Sequence, residues 1–104
     1  MKLIVKKNQL GGLAPAQWLR RAGYALINNR DGGESFARRL GSGFYPRLHL
    51  YFTMSGEEIS FNLHLDQKKA SYEGFNRHSG EYEGELLEIE LARLKEYLNE
   101  DLFA

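Results

Sequence analysis

The sequence predicts an α+β domain, an antiparallel sheet of four to five strands with two helices on one face. Three observations carry the prediction. Residues 46–66, PRLHLYFTMSGEEISFNLHLD, hold two strict apolar/polar alternations joined by a polar turn, the pattern of a half-buried hairpin. Residues 24–40 repeat that logic around Asp31-Gly32-Gly33. Leu87, Leu91, Leu94 and Leu98 recur at helical spacing and form a stripe that wants a core. The 104 residues suffice for a single domain, residues 1–104, and are too few for two.

Taken in order, Lys2–Lys6 is a short strand with Leu3 and Val5 on one face, followed by a turn over residues 8–12. Pro15 suits the first turn of a helix, where its missing N–H costs nothing, and Gly23 supplies the stop. In that helix Trp18 and Ala22 share a face with Ala14, which sends Trp18 to the core and leaves Arg20 and Arg21 towards water. Residues 24–28 and 34–40 form a hairpin in which a five-residue loop sets Leu26 opposite Phe36. Arg38 and Arg39 then fall on opposite faces, so only one of them can easily face water. Gly41-Ser42-Gly43 breaks the segment before the central hairpin.

The central hairpin has a definite register. If Met54 pairs with Ile59, Leu48 meets Leu65, Leu50 meets Leu63 and Phe52 meets Phe61 on the core face. On the wet face His49 meets His64, Arg47 meets Asp66 and Tyr51 meets Asn62. Residues 67–84 show no sustained periodicity and read as a long loop, with residues 69–72 as a candidate edge strand. The loop echoes Tyr-Glu-Gly ten residues apart, which is too little for a repeat protein. In the final helix Leu86 and Tyr97 flank the leucine stripe. Glu81, Glu83, Glu85 and Glu88 crowd its start, where the helix dipole favours acids, and Ile89 falls on the polar side.

Composition narrows the function classes. There is no cysteine, which excludes disulfides and Cys-ligated zinc and fits a reducing cytoplasm. No apolar run approaches a membrane span or a signal-peptide core, so a cytoplasmic protein without membrane contact is expected. The net charge is zero but uneven. Residues 1–54 hold nine Lys or Arg against Asp31 and Glu34, while residues 81–104 hold eight acids against Arg93 and Lys95. This asymmetry suggests an anion-facing half beside an acidic helix, unless the two halves neutralise each other in the fold.

Two overlapping constellations carry the chemistry. Cross-strand Cβ atoms lie about 4.5–5.5 Å apart, so His49 and His64 can share a ligand. With Asp66, and with His78 and Glu81 from the following segment, they make a nitrogen and oxygen donor set suited to a divalent transition metal such as zinc or manganese. No standard metal-binding spacing such as H-E-x-x-H is present. The second set is cationic: Arg47, His49, His64, Lys68, Lys69 and Arg77, with Tyr51 beside them, a combination that binds phosphates and stacks on a base. An ordinary solvated sheet face, with Arg47 paired to Asp66, is the plain alternative to both. Arg38-Arg39-Leu40-Gly41-Ser42-Gly43 lacks the Lys-Ser/Thr ending and following helix of a phosphate-binding loop. No Ser/His/Asp nucleophile context is legible.

Asp66-Gln67-Lys68, Ser71-Tyr72-x-Gly74 and His78-Ser79-Gly80-Glu81-Tyr82-x-Gly84 together resemble a signature of a family of small uncharacterised bacterial proteins. Those proteins also carry a histidine-bearing strand just before the Asp-Gln-Lys. The resemblance covers residues 47–84 and implies no reaction; it suggests that the second strand and the long loop belong to one unit. The leading expectation is a small module that binds an anionic ligand such as nucleic acid, RNA or DNA, through the His/Arg/Lys face. The alternatives are a metal-dependent or His-based phosphodiester hydrolase, and a regulatory domain that docks a protein partner at its C-terminal helix.

Overall fold

The computed structural model describes residues 1–29, 31–67 and 79–99, with backbone only for residues 79–82. The strands are β1 (Lys2–Lys6), β2 (Ala25–Asn28), β3 (Glu34–Arg39), β4 (Arg47–Ser55) and β5 (Glu58–Asp66); the helices are α1 (Pro15–Arg21) and α2 (Ser79–Lys95). All five strands join one antiparallel sheet in the order β1-β5-β4-β3-β2, an α+β fold with β4 at its centre.

The central register is the one the alternation dictates. Pairs run from Arg47↔Asp66 to Ser55↔Glu58 and include Leu48↔Leu65, Leu50↔Leu63, Phe52↔Phe61, His49↔His64 and Tyr51↔Asn62. A slip of one residue would expose Ile59, Phe61, Leu63 and Leu65 together, which fixes the register firmly. Gly56 closes the turn at φ +61 and Glu57 keeps a negative φ, which fits a type II′ hairpin. The second hairpin pairs Leu26 with Phe36 as expected. Its loop is tied by Asn29 N–H to the Gly33 carbonyl at 2.8 Å and by Gly33 N–H to Asp31 Oδ1 at 2.9 Å.

One face of the sheet is the core. Leu3 and Val5 of β1, Phe36 of β3, Leu48 and Leu50 of β4 and the apolar row of β5 form one cluster with Trp18, Leu19, Leu87 and Leu94. Trp18 is fully buried against Phe61, with ring centroids 5.1 Å apart. Its indole N–H donates to the Tyr97 carbonyl at 3.0 Å, joining α1 to the chain just beyond α2. Arg38 points to this same face and pairs with Glu90, while Arg39 is exposed on the other, so the two arginines divide as their alternation requires.

Several expectations need correction. The turn over residues 8–12 is instead a 3-10 helix, Lys7–Leu10, which buries Leu10 before Gly11 leaves it at φ +66. Helix α2 begins at Ser79, inside the segment expected as loop. Gly80 and Gly84 and the lack of an apolar stripe before Leu86 mask that beginning, whereas extending a helix from an anchored segment costs far less than starting one. Phe52 is only half-buried and Met54 is exposed, because β3 pairs with β4 only as far as Leu50 and leaves the end of β4 as an edge, whereas Ile59 opposite Met54 is flanked by β1 and buried. The candidate edge strand at residues 69–72 lies outside the described residues. Ile89 is exposed on α2 as the helical spacing predicts, and no helix among the described residues is long and apolar enough to cross a membrane.

Candidate functional site

The polar face of the sheet presents its side chains in cross-strand rows. The row through His64 and His49 continues to Ala37 on β3, and the row through Asp66 and Arg47 continues to Arg39. A third row runs from Lys2 through Asn62 to Tyr51. Alternation alone puts these residues together, and the small side chain at Ala37 leaves the His49 ring room to lean towards β3.

His49 Nδ1 lies 2.7 Å from His64 Nε2, and His49 Nε2 lies 2.7 Å from the hydroxyl of Ser35. The Ser35 hydroxyl in turn donates to Asn29 Oδ1 at 3.0 Å. The proton order follows from the orientation of the Asn29 amide. With Asn29 Oδ1 accepting from Ser35, His49 donates from Nε2 to the Ser35 oxygen and presents a bare Nδ1. His64 must then donate from Nε2, which leaves its Nδ1 as the lone-pair nitrogen of the neutral pair. Ser35 is 1% exposed although it lies on the polar face, and His64 at the other end is exposed. A buried serine and a half-buried histidine thus hold the orientation and tautomer of an imidazole that water can reach.

Burial lowers the His49 pKa from its ordinary value near 6.5, with smaller lowering contributions from His64 and Arg47 and an opposing one from Asp66. A histidine whose folded value lies below its unfolded value stabilises the fold in its neutral form. That contribution is present above the unfolded value and is lost as pH falls through the folded one. The urea midpoint is therefore expected to fall as pH drops below about 6.5, and His49→Gln should flatten that decline. Equal slopes in the parent and the variant would show that the ring contributes nothing to the pH dependence.

Beside the histidines lie two guanidinium groups on directly opposed positions, Arg39 and Arg47. Arg47 Nε donates to Asp66 Oδ2 at 2.9 Å, and its guanidinium lies 4.9 Å from the Tyr45 ring centroid. Arg39 sits 4.2 Å over the ring of Phe44, which is 65% exposed, and has no carboxylate partner among the described residues. Tyr51 is 44% exposed, with its ring 6.2 Å from that of His64. Arg47, His49, Tyr51, His64 and Asp66 are therefore brought together as the sequence predicts. Lys68, Lys69, Arg77 and His78 lie outside the described residues, as does the side chain of Glu81.

Of the metal donor set, His49 and His64 contact each other and Asp66 is engaged by Arg47, while His78 and the side chain of Glu81 lie outside the described residues. Among the described residues no three His, Asp or Glu side chains are grouped to hold an ion. Sequence reasoning missed Asn29, Ser35, Phe44 and Tyr45, and weighed Arg39 only within a phosphate-loop candidate rather than on the histidine face. Arg39 was within reach, because its place on the polar face follows from the second hairpin's register; the others depend on side-chain packing and loop geometry that alternation does not encode. No family model matches the chain, and no curated protein or solved structure is similar enough to count as a match.

Proposed function

We propose that the protein binds single-stranded nucleic acid, RNA or DNA, on the polar face of its sheet. The observation that carries this reading is the direct opposition of Arg39 and Arg47, with Asp66, on the far side of Arg47, the one carboxylate paired with either among the described residues. Like charges directly across a sheet are unfavourable, and an anion lying between them removes the penalty. A phosphodiester meets that need. Phe44 against Arg39, and Tyr51 two rows along the same face beyond His49, are exposed and suit unpaired bases, whose stacking on an aromatic ring is worth about 1–3 kcal/mol each. Arg39 lying over Phe44 extends the platform, since a guanidinium plane stacks on a base as readily as on a ring.

Fluorescence anisotropy with labelled single-stranded RNA and DNA tests the reading. Binding is expected at low salt, with log K falling against log salt by about 0.7 per phosphate neutralised. Arg39→Ala should weaken binding and reduce that slope by about 0.7 without changing the melting temperature appreciably. If neither polymer binds at about 20 mM salt, where phosphate contacts are strongest, the proposal is wrong.

A further inference from the structure

We infer that this face also cleaves single-stranded RNA without a metal, with His64 Nδ1 as the general base that removes the proton of a ribose 2′-hydroxyl. The inference rests on the nucleic-acid reading above and goes beyond it. Binding alone would need cations and rings, not the chain of hydrogen bonds from Asn29 through Ser35 and His49 to His64. Burying a serine and half-burying a histidine beneath an exposed imidazole costs desolvation, and the arrangement does what a general base requires. It gives the proton on His64 Nε2 a partner and leaves Nδ1 of that exposed imidazole as the lone-pair nitrogen.

The substrate class follows from the same chemistry. A neutral imidazole is too weak to turn water into a nucleophile for a DNA phosphodiester, but RNA carries its own nucleophile next to the phosphorus. The 2′-hydroxyl proton passes to His64 Nδ1 as the 2′-oxygen bonds to phosphorus. The bond from phosphorus to the 5′-oxygen breaks, and that oxygen takes a proton from water. The products are a 2′,3′-cyclic phosphate and a 5′-hydroxyl. Charge gathered on the His64 ring is shared with His49 through the 2.7 Å contact, because the Nε2 proton can shift to His49 Nδ1. Arg47, two residues from His49 on the same strand face, and Arg39 opposite it are placed to neutralise the phosphorane oxygens. His49 and Ser35 are positioning residues. Among the described residues, the charged and titratable groups around the pair are Arg47 and Tyr51 on β4, Asp66 on β5, Arg39 on β3, Lys2 on β1 and the N-terminal ammonium of Met1, which donates to the Leu63 carbonyl beside His64.

The test incubates purified protein, in a strong chelator, with labelled single-stranded RNA and with its all-deoxy counterpart, and measures binding of both in parallel. Cleavage of the RNA alone, with cyclic phosphate ends, is expected. His64→Ala, prepared identically, should lose at least about a hundredfold in rate while binding within a few-fold of the parent. Ser35→Ala should retain cleavage but displace the acid limb of its pH profile, a change that a purely structural serine would not produce. RNA that is bound but stays intact overturns the inference and leaves the binding proposal standing, as does cleavage undiminished in His64→Ala. If neither polymer binds, both fall.

Discussion

Glu90→Ala is expected to destabilise the protein by about 3–5 kcal/mol, the loss typical of removing one partner from a buried ion pair. Glu90 is 3% exposed in the middle of α2. Its carboxylate accepts from Arg93 Nε at 2.8 Å and Nη2 at 2.9 Å, from Arg38 Nη1 at 3.5 Å, and from the buried Tyr24 hydroxyl. Arg93 also donates to the Ala22 carbonyl at 2.6 Å, so one network ties α2 to β3 and to the end of α1. Burial, foremost, and the Glu90 hydrogen bond push the Tyr24 phenol well above its ordinary range, while the Glu90 hydrogen bond pushes the Arg93 guanidinium higher still. Without the carboxylate, the buried phenol loses its acceptor and the guanidinium, a quarter exposed, keeps only the Ala22 carbonyl and the Tyr97 hydroxyl. A loss of that size is a large share of the roughly 5–15 kcal/mol that holds a small domain folded. Trp18 is the one tryptophan, so its fluorescence can follow urea unfolding in this variant. Glu88→Ala on the exposed side should change stability by no more than about 0.5 kcal/mol. A Glu90→Ala variant as stable as Glu88→Ala would reduce the buried network to a bystander.

Where the sequence was legible, a periodicity had a single solution. In the central hairpin each apolar residue has an apolar partner in only one register, and that register alone places His49 against His64 and Arg47 against Asp66. In the second hairpin Gly32 and Gly33 mark the turn and the Leu26 pairing follows. Glu90 shows what such reasoning overlooks. It lies three residues after Leu87 and four before Leu94, hence beside the buried stripe, yet in the sequence it reads as one more acid in an acidic run. Only the placement of Arg38 on the core face, also implied by its alternation, hints that a buried carboxylate must answer it. Ser35 is harder still. Its position on the polar face is correct, but its burial depends on what His49 and Asn29 do above it. The pairing of β1 with β5 was beyond reach for another reason: strand order across a sheet depends on long-range contacts that carry no local pattern.

Trp18→Ala should cost about 3–5 kcal/mol, the range for removing a large aromatic from a packed core. Trp18 joins three parts of the fold at once: it belongs to α1, lies on Phe61 of β5, and donates to the Tyr97 carbonyl after α2. The gentler Trp18→Phe keeps a ring over Phe61 but leaves that carbonyl without its donor, at a cost of about 1–3 kcal/mol. Circular dichroism would follow both variants in urea. The ratio of the two losses separates packing from hydrogen bonding: if Trp18→Phe loses as much as Trp18→Ala, the indole N–H rather than the ring area holds α1 in place. Because Phe61 points to the core while its neighbours Ser60 and Asn62 point to the polar face, the proposed binding of single-stranded nucleic acid should be as tight in a folded Trp18→Phe protein as in the parent. Weakened binding in a fully folded Trp18→Phe protein would mean that the sheet transmits packing on one face to the geometry of His49 and His64 on the other.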